Sequence, residues 1–112
     1  MKTEIITNCI PLDDAEYMLH FSLGYHSHGA KEFPIDTIRI GYPVADWGKG
    51  EYRTFPVKLT TGATIGGIMI YAARIIREEV EKGNNYAPHD WKDYTIERVT
   101  ILDNVATIEC GS

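Results

Sequence analysis

The sequence predicts a single α+β domain: one long helix packed on one face of an antiparallel or mixed sheet of about six strands, closed by a C-terminal β-hairpin. Three observations carry this. Apolar and polar residues alternate with period two in several short segments, which is the pattern of half-buried strands. One stretch alone has the 3.6-residue period of a helix, and a single helix excludes a doubly wound parallel sheet. The last strands fit one another in a single register. With 112 residues, the chain makes one domain, residues 1–112, large enough to bury a core without a metal or disulfide.

Ile5 to Ile10 reads as the first strand, stopped by Pro11, and "PLDDAE" reads as a polar turn. Tyr17 to Leu23 alternates, with Tyr17, Leu19, Phe21 and Leu23 on one face. The run "GYHSHGAKEFP" has no periodicity and is expected to be a loop. Thr37 to Tyr42 is the next strand, with Ile38, Ile40 and Tyr42 inward. Tyr52 to Leu59 follows, placing Phe55, Val57 and Leu59 inward and Pro56 outward. A proline there marks an edge strand or a bulge, because it cannot donate to a ladder.

The helix runs from about Thr64 to Lys82. Ile65, Ile68, Met69, Ala72, Ala73, Ile75, Ile76 and Val80 form its apolar stripe. Arg74–Glu78, Arg77–Glu81 and Glu78–Lys82 are spaced as i,i+4 ion pairs on the far side. Thr64 or Thr61 suits the N-cap, and Gly83-Asn84 the C-terminal stop. Glu79 falls inside the stripe, which an overhanging last turn would explain.

"VTILDNVATIE" reads as a hairpin turning at Asp103-Asn104, a type I′ candidate. That turn pairs Leu102 with Val105, Ile101 with Ala106, Thr100 with Thr107, Val99 with Ile108 and Arg98 with Glu109. Apolar meets apolar and opposite charges meet, which a one-residue slip would destroy. Tyr94 and Ile96 have the other parity, so a bulge near Glu97 is expected. Met18, Tyr52, Leu102, Val105 and Ile70 are apolar on faces assigned outward. They point to a homo-oligomer that buries the open face of the sheet.

Composition narrows the function classes. At 44% hydrophobic and 24% charged the chain is of ordinary globular make-up. A net charge of −5 argues against non-specific nucleic-acid binding. Met1 to Ile10 lacks the apolar core of a secretory signal, and the longest uncharged run, Leu59 to Ala73, is too short for a membrane span. A cytoplasmic protein with Cys9 and Cys110 as reduced thiols is the expectation.

Gly62-Ala-Thr-Ile-Gly-Gly67 has the spacing of a phosphate loop, yet Ile68 and Met69 stand where lysine and a hydroxyl residue belong. What remains is a helix N-terminus that could hold an anion through its amides. The competing reading is a plain N-cap. Aromatic residues bracket cations in two loops: Tyr42, Trp47 and Tyr52 around Lys49 and Arg53, and Tyr86, Trp91 and Tyr94 around His89 and Lys92. Such clusters suit either base stacking or a protein interface. His26 and His28 would need His20, His89 or Asp90 to complete a metal site, so no metal and no cofactor is expected. Neither "PLDDAE" nor "HDWKD" places a nucleophile beside its carboxylates, and the chain is read as leaning away from catalysis.

The expectation is therefore a non-catalytic binding module, oligomeric, with an accessory, inhibitory or sequestering role of phage or mobile-element type towards a protein partner. Two alternatives stand beside it. In one, a small anion such as a nucleotide sits between protomers on Trp47, Lys49, Arg53, Thr60, Thr61, Gly62, Thr64, Gly66, His89 and Trp91. In the other, a small enzyme uses acid–base chemistry on His89 and Asp90, or on the His26/His28 loop.

Overall fold

The computed structural model describes residues 2–15, 31–46, 49–57, 63–84 and 90–111. In chain order these form strand β1 (Thr3–Pro11), a single helical turn α1 (Leu12–Ala15), β2 (Thr37–Ile40), β3 (Arg53–Pro56), the long helix α2 (Ile65–Glu81), a 3-10 turn (Trp91–Asp93), β4 (Thr95–Leu102) and β5 (Val105–Gly111). The strand expected at Tyr17–Leu23 lies outside the described residues. The five described strands make one mixed sheet in the order β1-β4-β5-β2-β3. All neighbours are antiparallel except β2 and β5, which are parallel.

The hairpin has the register the sequence predicts, from Leu102↔Val105 to Arg98↔Glu109. Asp103 and Asn104 have φ of 51° and 64°, as a type I′ turn requires. The ladder shifts between Ile96 and Arg98. That bulge at Glu97 lets Tyr94 and Ile96 face inward together with Val99 and Ile101. β3 is an edge of the sheet, with Pro56 exposed. "PLDDAE" differs from expectation: Leu12 to Ala15 make a helical turn. Leu12 and Ala15 are fully buried there, and burial of those two apolar side chains outweighs the local preference of the aspartates for an open turn.

α2 is capped as the sequence implies. The Thr64 hydroxyl accepts from the Gly67 amide at 3.1 Å. At the other end Gly83, at φ +81°, carries the left-handed residue that only glycine adopts without strain. The amides of Gly83 and Asn84 return to the carbonyls of Val80 and Glu79, closing a Schellman motif. Arg77 and Glu81 form the expected i,i+4 pair at 3.2 Å. The stripe of α2 packs onto Ile38, Ile40, Val99, Ile101, Ala106 and Ile108 in one core. Each fully buried isoleucine there contributes roughly 1.5–3 kcal/mol.

Two positions on α2 depart from expectation. Ile70 is buried, because α1 and the 3-10 turn pack on α2 as well as the sheet, so its buried arc is wider than one sheet face demands. Glu79 does not overhang anything. It is 9% exposed and sits within the core boundary, answered by specific partners.

Candidate functional site

Trp47, Thr60, Thr61, Gly62 and His89 lie outside the described residues, as do His20, His26 and His28. Of the remaining candidates, Lys49 is exposed and pairs locally with Asp46 at 3.9 Å. Arg53 reaches from the edge strand to the last turns of α2, where its Nη1 meets Glu79 Oε2 at 3.2 Å. Asn84 Nδ2 donates to the same oxygen at 2.8 Å. Burial alone would push the Glu79 carboxyl up. The hydrogen bonds from Asn84 and Arg53, with the charges of Arg53 and Lys82, overcome it and hold the group below the ordinary carboxylate range.

Thr64 and Gly66 lie in the first turn of α2. Fifteen residues separate Thr64 from Glu79, about 22 Å along the axis. Arg53 and the helix N-terminus are therefore separate places within one chain, and the Gly67 amide is already taken by Thr64. Trp91 is buried at 9% exposure, with the Arg77 guanidinium 4.8 Å from its ring centre, and so presents little surface for stacking. Asp90 caps the 3-10 turn, accepting from the Trp91 amide at 2.8 Å, while Asp93 closes the capping box in return.

The structure draws attention elsewhere, to the sheet face opposite the core. Strand alternation puts three rows of side chains there. The registers align Glu4, Thr100, Thr107, Arg39 and Thr54 in the middle row. Ile6, Arg98 and Glu109 form the row on one side of it, and Leu102, Val105, Thr37 and Pro56 the row on the other. All of these except Thr54, Ile6, Thr37 and Pro56 line a shallow depression of about 460 Å³.

A polar ladder crosses this floor. Arg98 Nε meets Glu4 Oε1 at 3.3 Å and Arg98 Nη1 meets Glu109 Oε2 at 3.6 Å. Tyr52 donates its hydroxyl hydrogen to Glu109 Oε1 at 3.3 Å. Arg39 stacks over the Tyr52 ring at 4.4 Å, and its Nη1 donates to Thr107 Oγ1 at 3.4 Å. Gly41 makes the ring's position possible, since a Cβ there would stand 3.3 Å from a Tyr52 ring carbon and from the Glu51 carbonyl. Burial raises the Tyr52 pKa, Glu109 adds to it through charge and hydrogen bond, and Arg39 and Arg98 oppose it.

Ile6, Leu102 and Tyr52 keep 62%, 44% and 38% of their surface exposed on this face. Cys110, a free thiol packed against the core side of β5, has its pKa pushed up by burial and by Glu97 and Glu109. The hairpin register already implied the Arg98–Glu109 and Thr100–Thr107 pairs, and Tyr52, Leu102 and Val105 were assigned outward. Glu4 and Arg39 were missed. Their places depend on the β1–β4 and parallel β2–β5 pairings, which join distant segments and leave no local trace.

Comparison with known protein families, with characterised proteins and with solved structures gives no match. Among the described residues no helix is long and apolar enough to cross a membrane.

Proposed function

We propose that this protein is a non-catalytic binding module whose contact surface is the sheet face opposite α2. Its role is accessory, inhibitory or sequestering, towards a protein partner. The observation that carries the reading is the polar ladder from Glu4 to Arg39, set among the exposed Ile6, Tyr52 and Leu102. Tyrosine and arginine dominate the energetics of protein interfaces, because they combine large apolar contact with directed hydrogen bonds. The ladder holds these side chains in place before any partner arrives, which lowers the entropy lost on binding.

The test is native mass spectrometry of the protein isolated from its own cells, beside a variant carrying Thr100→Arg and Thr107→Arg. These two threonines lie in the middle row, and arginines there put bulk and positive charge at the centre of the face. The wild type is expected in a stoichiometric protein complex, and the variant, folded by circular dichroism, is expected free. A wild type found only as free monomer, or a variant that keeps the same complexes, would overturn the reading. A sharp thermal shift of the pure protein with a nucleotide, lost in Arg53→Ala, would instead favour the small-anion alternative.

A further inference from the structure

We infer that the occupant of this face is a second copy of the same chain, related by a two-fold axis lying along the strands midway between β4 and β5. The inference rests on the reading of the face as a contact surface and makes a second copy its resident occupant, which a different protein partner would displace. Rotation about such an axis lays β4 over the partner's β5, and β1 over the partner's β2, without shifting the rows. In the middle row Glu4 then faces Arg39 of the other copy, and Thr100 faces Thr107. In the neighbouring row Arg98 faces Glu109, and Ile6 meets the Tyr52 ring where it lies over Gly41. Across the remaining row Leu102 faces Val105. Glu4, Arg39, Arg98 and Glu109 each meet an opposite charge, and Ile6, Tyr52, Leu102 and Val105 each meet an apolar group, as a self-complementary isologous interface demands.

Charge supports a copy over a foreign partner of one sign. The basic and acidic residues lining the depression are equal in number: Lys2, Arg39 and Arg98 against Glu4, Asp103 and Glu109. The rest of the chain therefore carries the whole net charge of −5. A neutral face of alternating sign lets two acidic molecules approach without the repulsion their other surfaces would impose. Sheet twist leaves the rows matched on β4 and β5, beside the axis, and offsets them on the flanking strands. Aligned sheets pack at about −30°, a tilt of roughly 15° for each sheet from the axis, which displaces each flanking residue by about 2 Å and offsets the facing pair by about 4 Å, a distance the long side chains of Glu4 and Arg39 span. Successive residues on one face are spaced by about 6.8 Å. The stated axis overlaps four strands, since β3 has no facing strand, and three rows over four strands span roughly 20 by 19 Å. Two such faces bury on the order of 800 Å², below the range of stable specific interfaces, so association is expected to be weak and concentration-dependent.

Glu4 and Arg39 do not touch within one chain: Glu4 meets Lys2 and Arg98, and Arg39 meets Thr107 and Tyr52. That separation gives a test whose rescue arm reads the dimer alone, sedimentation of pure protein across a wide concentration range, because mixing variants restores no contact within one chain. Wild type is expected to dimerise. Glu4→Arg sets a new arginine against the other copy's Arg39, and symmetry repeats the clash. Arg39→Glu likewise sets a new glutamate against the other copy's Glu4, again twice over. Each variant alone is therefore expected to dimerise about tenfold more weakly or worse. Mixed in equal amounts, the two variants pair every charge with its opposite, and association is expected to return to near the wild-type strength. Should Glu4→Arg fail to fold, Thr100→Lys mixed with Thr107→Glu gives a second test: each new charge faces a threonine in its own homodimer and an opposite charge only in the mixture, which is therefore expected to associate more strongly than either variant alone. Charge-reversed singles that dimerise as wild type does, or a mixture no stronger than its components, overturn the proposal. A pure wild type that stays monomeric overturns the pairing of copies alone. The binding role of the face falls only if the cell-extract experiment above fails as well.

Discussion

Replacing Arg53 by methionine isolates the energetics of the buried Glu79 carboxylate. Methionine keeps an unbranched apolar stem against Phe55, over which the Arg53 guanidinium now lies at 5.1 Å. It removes the donor that meets Glu79 at 3.2 Å and leaves Asn84 as the remaining hydrogen-bond partner. Losing one partner of a fully buried ion pair costs about 3–5 kcal/mol. Here the Arg53 side chain is 41% exposed, so solvent already screens the pair and the cost falls. We expect a loss of about 1–3 kcal/mol at neutral pH, of the order of one charge-assisted hydrogen bond. For a domain of this size that lowers Tm by roughly 4–12 °C.

The pH dependence makes the test sharper. In the wild type the folded-state pKa of Glu79 is depressed, so its contribution is present above the unfolded carboxylate pKa and is lost as pH falls through the lower folded value. In the variant, burial stays while Arg53's hydrogen bond and charge are gone, so the folded pKa moves up. Protonation then relieves the variant at a higher pH than it affects the wild type, and the stability gap narrows from about pH 7 towards about pH 4. Urea unfolding of both proteins at several pH values measures this directly. A gap that is unchanged with pH, or absent at neutral pH, would refute the assignment of Glu79 as a buried carboxylate held by Arg53.

Thr64→Ala removes the side-chain acceptor for the Gly67 amide and is expected to destabilise by about 1 kcal/mol in thermal unfolding, with Thr64→Ser close to wild type. At the hairpin turn, Asn104→Gly is expected to be neutral or to stabilise by a few tenths of a kcal/mol, whereas Asn104→Val should cost about 1 kcal/mol or more, because φ is +64° there. Gly41→Ala puts a Cβ 3.3 Å from the Tyr52 ring and is expected to push the ring by a few tenths of an ångström, lengthening its 3.3 Å bond to Glu109. A spectrophotometric titration should then show the Tyr52 hydroxyl ionising nearer its ordinary pKa, with the difference lost in the Tyr52→Phe background. The raised pKa of Tyr52 also means that its share of stability is present below the unfolded tyrosine pKa and is lost as pH rises through the folded value.

The elements legible in the sequence are those set by neighbouring residues. The hairpin was legible to the residue pair because Asp103-Asn104 admits one tight turn, and only one register then matches Arg98 with Glu109 and Thr100 with Thr107. α2 was legible from its period and from Thr64 and Gly83 at its ends. Glu79 was misread because its partner Arg53 lies 26 positions earlier, and nothing local reveals that an edge strand ends beside the last turns of the helix. Trp91 looked like a stacking surface because it stands in an aromatic, cationic stretch. In the structure its ring is part of the core and its neighbouring cations lie over it. Local composition records that an aromatic residue and a cation are close, but not which of them the core takes.

The same reasoning explains why the open face carries a symmetry that no single segment encodes. Glu4 is placed by the pairing of β1 with β4, and Arg39 by the pairing of β2 with β5. These pairings lie on opposite flanks of the hairpin. The hairpin relates its own residues by a local near-two-fold, so Thr100 answers Thr107 and Arg98 answers Glu109 within one chain. That internal pairing satisfies the hairpin alone. It places no requirement on the flanking strands, where Glu4 and Arg39 stand at equal remove from the hairpin axis, opposite in charge and out of each other's reach. Their intrachain partners, Arg98 for one and Tyr52 for the other, do not depend on their lying in the same row. A second copy facing the first does depend on it, and the exchange between Glu4→Arg and Arg39→Glu measures that dependence.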